Sequence, residues 1–155
     1  MYDASGAGRR GRCRCEELSV LLSVRLPACP AAVEVARHQV RGVLELYEAD
    51  AVATDDAELL TSELVTNAVV HVGRERPGAE LGLSLIRDGG SLLVEVHDPS
   101  RELPYVRDEV GELQESGRGL LMVATVAHDH GVHLTEGAGK VVWFELIAWP
   151  VLQPT

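Results

Sequence analysis

The stretch from Leu59 to Val72 constrains this chain more than any other. Leu59, Leu60, Leu64, Val65, Ala68, Val69 and Val70 recur at helical spacing and cover most of the circumference, so the helix they form belongs inside a domain. One polar stripe runs through that apolar cylinder. Glu63, Asn67 and His71 stand four residues apart, about 6 Å of rise per step, and so point the same way. Polar groups there need partners, because an unpaired buried polar group costs about 1–3 kcal/mol. Neighbouring backbone could serve, but three polar groups in register, one of them a carboxylate, fit a ligand better. Asn67 offers Mg²⁺ a hard carbonyl oxygen, and Glu63 one turn earlier suits a general base for a hydroxyl near a γ-phosphate.

The flanking sequence supplies the rest of a domain. Leu18 to Leu26 alternates, with Val20, Leu22, Val24 and Leu26 expected on one side of a strand. Ala31–Tyr47 reads as a helix with Pro30 in its first turn. Thr54-Asp55-Asp56 carries N-cap chemistry for the apolar helix, which is expected to end near His71 or Val72, before Gly73 and Pro77. Leu81–Ile86 and Leu92–Val96 form a hairpin around Asp88-Gly89-Gly90. Residues 100–116 form a long polar loop of the kind that acts as a lid. A third helix runs from Leu120 to about His128, and strands follow at Val132–Thr135 and Val141–Ile147. The order β-α-α-β-β-α-β-β with consecutive hairpins implies an α+β two-layer sandwich: a mixed, mainly antiparallel sheet with helices on one face. No glycine fingerprint follows the first strand, which excludes a Rossmann arrangement.

Composition narrows the partners. The 155 residues suit one domain, expected over 17–149, between a basic arm at 1–16 that reads as disordered and a tail at 150–155. A net charge of −10 disfavours nucleic acid and anionic lipid, although an acidic protein still holds ATP where Mg²⁺ and backbone N–H groups neutralise phosphate. No apolar run is long enough to cross a bilayer and the arm lacks the apolar centre of a signal peptide, so the cytoplasm is the expected compartment. Cys13, Cys15 and Cys29 make no disulfide framework. His128-Asp129-His130 reads as a solvated helix end, without a third ligand for a metal. The acidic run from Asp108 to Glu115 reads as a solvated face of the loop.

Two further motifs carry chemistry. Asp98, at the exit of an apolar strand, offers an acceptor to a donor such as the adenine amino group, although Asp98-Pro99 is equally a turn starter. Gly117-Arg118-Gly119-Leu120 precedes a helix, where glycines let the backbone approach and aim N–H groups at phosphate.

Taken in order, these motifs resemble the GHKL superfamily of ATP-binding domains, most closely its anti-sigma-factor serine kinase-like branch. Glu63-Leu-Val-Thr-Asn67-Ala-Val-Val-His71 resembles the family's N box, Asp98 its adenine-binding aspartate, Gly117-Arg-Gly-Leu-Leu-Met-Val123 its second glycine box, and Gly139–Leu146 its closing strand. The resemblance implies the Bergerat, or histidine-kinase-like, ATPase fold. It implies Asn67 as Mg²⁺ ligand, Glu63 as catalytic base, and Asp98 as reader of adenine. His71, Gly117, Arg118, Gly119 and Leu120 would complete the nucleotide site, with 100–116 as the ATP lid. The implied activity is transfer of the γ-phosphate to a serine of an anti-sigma-factor antagonist, with a sigma factor bound by another face. A homodimer built on the first helix and the sheet edge is also expected. Two departures from the family pattern stand out. Asp98-Pro99-Ser100-Arg101 lacks the glycines that usually follow the aspartate, and Val141 stands near where many relatives carry a threonine beside adenine. They motivate an alternative reading, a partner-switch module that holds ATP or a protein without transfer.

Overall fold

A computed structural model describes residues 18–100, 122–136 and 139–150. Its elements run β1 (Leu18–Pro27), α1 (Ala31–Leu46), α2 (Ala51–Glu75), β2 (Glu80–Asp88), β3 (Ser91–Asp98), β4 (Asp129–Leu134) and β5 (Lys140–Ile147), with helical residues 122–126 before β4. The strands make one sheet in the order β1-β2-β3-β5-β4. The expected mixed, mainly antiparallel sheet is antiparallel at all four described pairings.

Strand periodicity builds the core. Leu81, Leu83 and Leu85 of β2, Leu92, Val94 and Val96 of β3, and Phe144 and Leu146 of β5 all face one way and are buried. Against that face pack Ala36, Val40 and Leu44 of α1 and Leu60, Leu64 and Ala68 of α2. Each buried Leu, Val or Phe contributes about 1.5–3 kcal/mol relative to exposure, so this single interface accounts for most of the favourable side of folding. Arg41 staples the two helices together, donating to Asp55 at 2.6 Å, to Glu58, and to Glu45 at 3.3 Å. Hydrogen bonds to Asp55 first, then Glu58 and Glu45, hold this guanidinium further above its usual range.

Several local expectations need correction. The register of β1 shifts between Val20 and Leu22, so that Val20 pairs with Ile86 while Leu22 pairs with Leu85. That bulge turns Val20 to the opposite face, where it is 65% exposed, while Leu22, Val24 and Leu26 keep to the core side. Helix α2 is capped by Asp50, whose carboxylate accepts the Ala53 N–H at 3.0 Å, rather than at Thr54-Asp55-Asp56. Thr54 lies inside the helix and its hydroxyl donates to the Asp50 carbonyl at 2.9 Å. The helix also runs through Gly73 to Glu75, stopping before Pro77, because a lone glycine costs a helix only about 1 kcal/mol. It is not buried all round, since Leu59 and Val70 are exposed. His128-Asp129-His130 is not a helix end: Asp129 and His130 open β4, and the His128 N–H donates to the Glu145 carbonyl. Among the described residues no cluster suits a metal ion, and no helix is long and apolar enough to cross a membrane. The basic arm, the lid beyond Ser100 and Gly117, Arg118, Gly119 and Leu120 lie outside the described residues.

Candidate functional site

The polar stripe of α2 is where the sequence puts it. Asn67 is buried at 7% exposure, enclosed by the same helix that buries Leu64, Val65 and Ala68. Glu63 and His71, one turn to either side, are half-buried. The Asn67 Nδ2 atom is buried and has no hydrogen-bond partner among the described residues. A side-chain amide carries a donor and an acceptor end, and leaving either unmet in a packed interior costs about 1–3 kcal/mol. An orphaned amide donor on this stripe therefore fits a ligand that brings an acceptor, such as a phosphate oxygen.

A second corner forms where β3 and β5 run side by side. The antiparallel register sets Asp98 opposite Lys140, and both side chains are buried, each at 2% residue exposure. Asp98-Pro99-Ser100 makes the turn that its sequence announces: the Ser100 N–H donates to Asp98 Oδ1 at 2.7 Å. Lys140 Nζ lies 3.4 Å from Asp98 Oδ2 and donates to Ser100 Oγ at 3.2 Å. Ser100 thus meets the carboxylate through its backbone N–H and the lysine through its hydroxyl, where a glycine would supply the backbone contact alone. Gly139 makes the close approach possible, because a Cβ there would stand 2.8 Å from the Asp98 carbonyl oxygen. The residue opposite Asp98 is Lys140; Val141, one residue on, pairs with His97.

A cleft of about 390 Å³ opens on the sheet face turned away from the helices, floored by Ser23, Arg25, Gly82, Ser84 and His97. Asp98, Pro99, Thr135, Gly139 and Lys140 border it at one end, although strand alternation turns the Asp98 and Lys140 side chains to the helix-facing side, with Val96 and Val142. Asp98 is the one sequence-derived site residue on its described wall; Glu63, Asn67 and His71 do not line it. The α2 stripe and this cleft are thus separate features.

Sequence reasoning missed Lys140 and Ser100. The signal was available in pairing arithmetic: a lone lysine heading an otherwise apolar closing strand falls opposite the aspartate that ends the preceding inner strand.

Comparisons with known proteins agree with this architecture. Residues 26–146 match the family model described as histidine kinase-like ATPase domain. The serine-protein kinase RsbW of Oceanobacillus iheyensis is 25% identical over 119 residues, 70% of this chain and 75% of that protein. The serine-protein kinase RsbW of Listeria monocytogenes serotype 4a is 24% identical over 132 residues, 78% of this chain and 84% of that protein. Among solved structures, a chain in the SiaB–SiaC complex from Pseudomonas aeruginosa superposes with a TM-score of 0.65 at 17% identity. That match covers 82% of this chain and 89% of the other, a likeness of fold.

Proposed function

Because the chain belongs to the histidine kinase-like ATPase domain family, we propose that it binds Mg-ATP at the α2 stripe and transfers the γ-phosphoryl group to a serine of a small antagonist protein, as a cytoplasmic partner-switching regulator that also sequesters a sigma factor. The observation that carries this reading is the buried Asn67 amide, whose Nδ2 donor has no partner among the described residues and suits a phosphate oxygen of the nucleotide, while the carbonyl end of the same amide would serve Mg²⁺. Bound Mg²⁺ would neutralise charge on the triphosphate, with Asn67 as its protein ligand. Glu63 accepts the proton of the serine hydroxyl as its oxygen bonds to the γ-phosphorus, and the bond to the ADP oxygen breaks. Asp98 accepts from the base, and Gly117 to Leu120 offer N–H groups to phosphate. The RsbW relatives are named serine-protein kinases, which supports transfer to serine.

Calorimetric titration of Mg-ATP into the purified chain tests the reading. Wild type binds, and Asn67→Ala loses at least about tenfold in affinity, the worth of one hydrogen bond to a charged group. Equal binding by both proteins refutes the assignment of Asn67. One observation favours the second reading, a module that holds nucleotide without transfer: Ser100 and Lys140 already engage the Asp98 carboxylate. That reading is selected if Mg-ATP binds tightly while no phosphoserine forms on the antagonist.

A further inference from the structure

We infer that the arginine run at residues 9–14 lies across the sheet face turned away from the helices and pairs there with buried carboxylates.

Strands β2, β3 and β5 alternate, so half of their side chains point away from α1 and α2. An antiparallel sheet with helices on one side leaves its second face to water, and the residues there are ordinarily polar and exposed. Here they are not. Ile86 of β2, Leu93 of β3 and Val141 of β5 point outward and are buried. Glu95, on the same face, is only 1% exposed, and Glu145 is buried as well. Register sets Leu93 opposite Ile86 on one side and Glu145 on the other, with Glu95 beside Trp143, so these groups form one patch. Flanking side chains do not account for its burial. The Trp143 ring leans the other way, over Gly131, where a Cβ would stand 2.8 Å from the indole. The described helices do not reach the patch either, because α1, α2 and Val123 belong to the core on the opposite face. The patch is closed off in a single copy of the chain, so another stretch of the same chain covers it.

Charge selects that stretch. A buried carboxylate is costly unless a cation and hydrogen bonds meet it, and the planar fork of arginine meets it best. Residues 9–14 hold Arg9, Arg10, Arg12 and Arg14 and no acidic residue. Residues 101–121 carry five acidic residues against three arginines, and residues 137–138 and 151–155 carry no charge. Reach agrees with charge. The arm joins the sheet at Leu18, which pairs with Asp88 at the rim of this face. Glu145 lies three strands further across, about 14 Å at the usual strand spacing. Six extended residues span about 20 Å, so Arg12 and Arg14 come within reach of Glu95 and Glu145. The cleft at Gly82 and His97, one row beyond Glu95, is then the part of the face that the arm leaves open.

Limited trypsin digestion of the full chain, read by mass spectrometry, tests this, because trypsin needs a free arginine on an accessible backbone. In wild type, cleavage after Arg9, Arg10, Arg12 and Arg14 runs at least about tenfold slower than in a peptide of residues 1–17, since cleavage follows the population of the open form. Glu95→Gln combined with Glu145→Gln removes the charges, keeps the shapes, and returns the arm to the peptide's rate while cleavage within the folded domain is unchanged. Arm sites cut at the peptide's rate in wild type overturn the inference. So does protection that survives the double substitution, or protection that appears only as protein concentration rises, which would put a second copy on the face. If the double variant does not fold, the full chain with Arg9, Arg10, Arg12 and Arg14 all replaced by Ala decides. Its urea midpoint falls below that of wild type when the arm is a cover; an unchanged midpoint means those arginines sit free in solvent, and the inference is overturned.

Discussion

The α2 stripe and the β3–β5 corner bury polar groups to a similar depth and treat them oppositely. At Asn67 an amide nitrogen is left without a described partner; at the corner Asp98, Ser100 and Lys140 satisfy one another. The first arrangement is costly in the empty protein and favourable once a ligand arrives; the second is stable on its own and changes little unless a ligand shares its hydrogen bonds.

This contrast can be broken by mutation. The largest expected effect is chemical: Glu63→Ala lowers phosphoryl transfer to the antagonist by about 10²–10⁴-fold while leaving Mg-ATP affinity close to wild type, measured by phosphoserine formation beside calorimetry. Full transfer by that variant removes Glu63 as the base. Next comes the corner. Lys140→Met strands a buried carboxylate and destabilises the fold by about 3–5 kcal/mol in urea unfolding, since breaking one side of a buried ion pair leaves an uncompensated charge. A loss below about 1 kcal/mol would mean the pair behaves like a surface contact. The smallest effect has the opposite sign. Asn67→Leu replaces an orphaned amide with a side chain of similar size, so the empty protein gains about 1 kcal/mol while nucleotide binding is lost. If Asn67→Leu instead destabilises, the amide is satisfied in the resting protein and the contrast dissolves.

Much of this was legible in the sequence, for identifiable reasons. Periods of 2 and 3.6 residues marked β2, β3, β5 and both helices, because each buries one face against the other layer. The Asn67 stripe was visible because polar residues at helical spacing inside an apolar run are conspicuous. The bulge at Leu21 was not: alternation from Val20 to Leu26 looks unbroken, and only pairing with β2 reveals the slip that exposes Val20. The Asp50 cap was missed because Thr54-Asp55-Asp56 offers equivalent chemistry one turn later, and the choice is made where the carbonyl of Ala148 receives the Asp50 N–H at 2.7 Å. Lys140 escaped for a related reason. Its significance lies in the cross-strand neighbour 42 positions away (Asp98 opposite Lys140), which no local window contains.

The segment after β5 carries a consequence for how the fold closes. The Ala148 and Trp149 N–H groups donate to Gly90 at the β2–β3 turn, and the Trp149 indole N–H donates to the Tyr47 carbonyl between the helices. Arg87 stacks over the same indole ring at 4.2 Å. One tryptophan beyond the closing strand therefore ties the hairpin turn and the helical connection together at once.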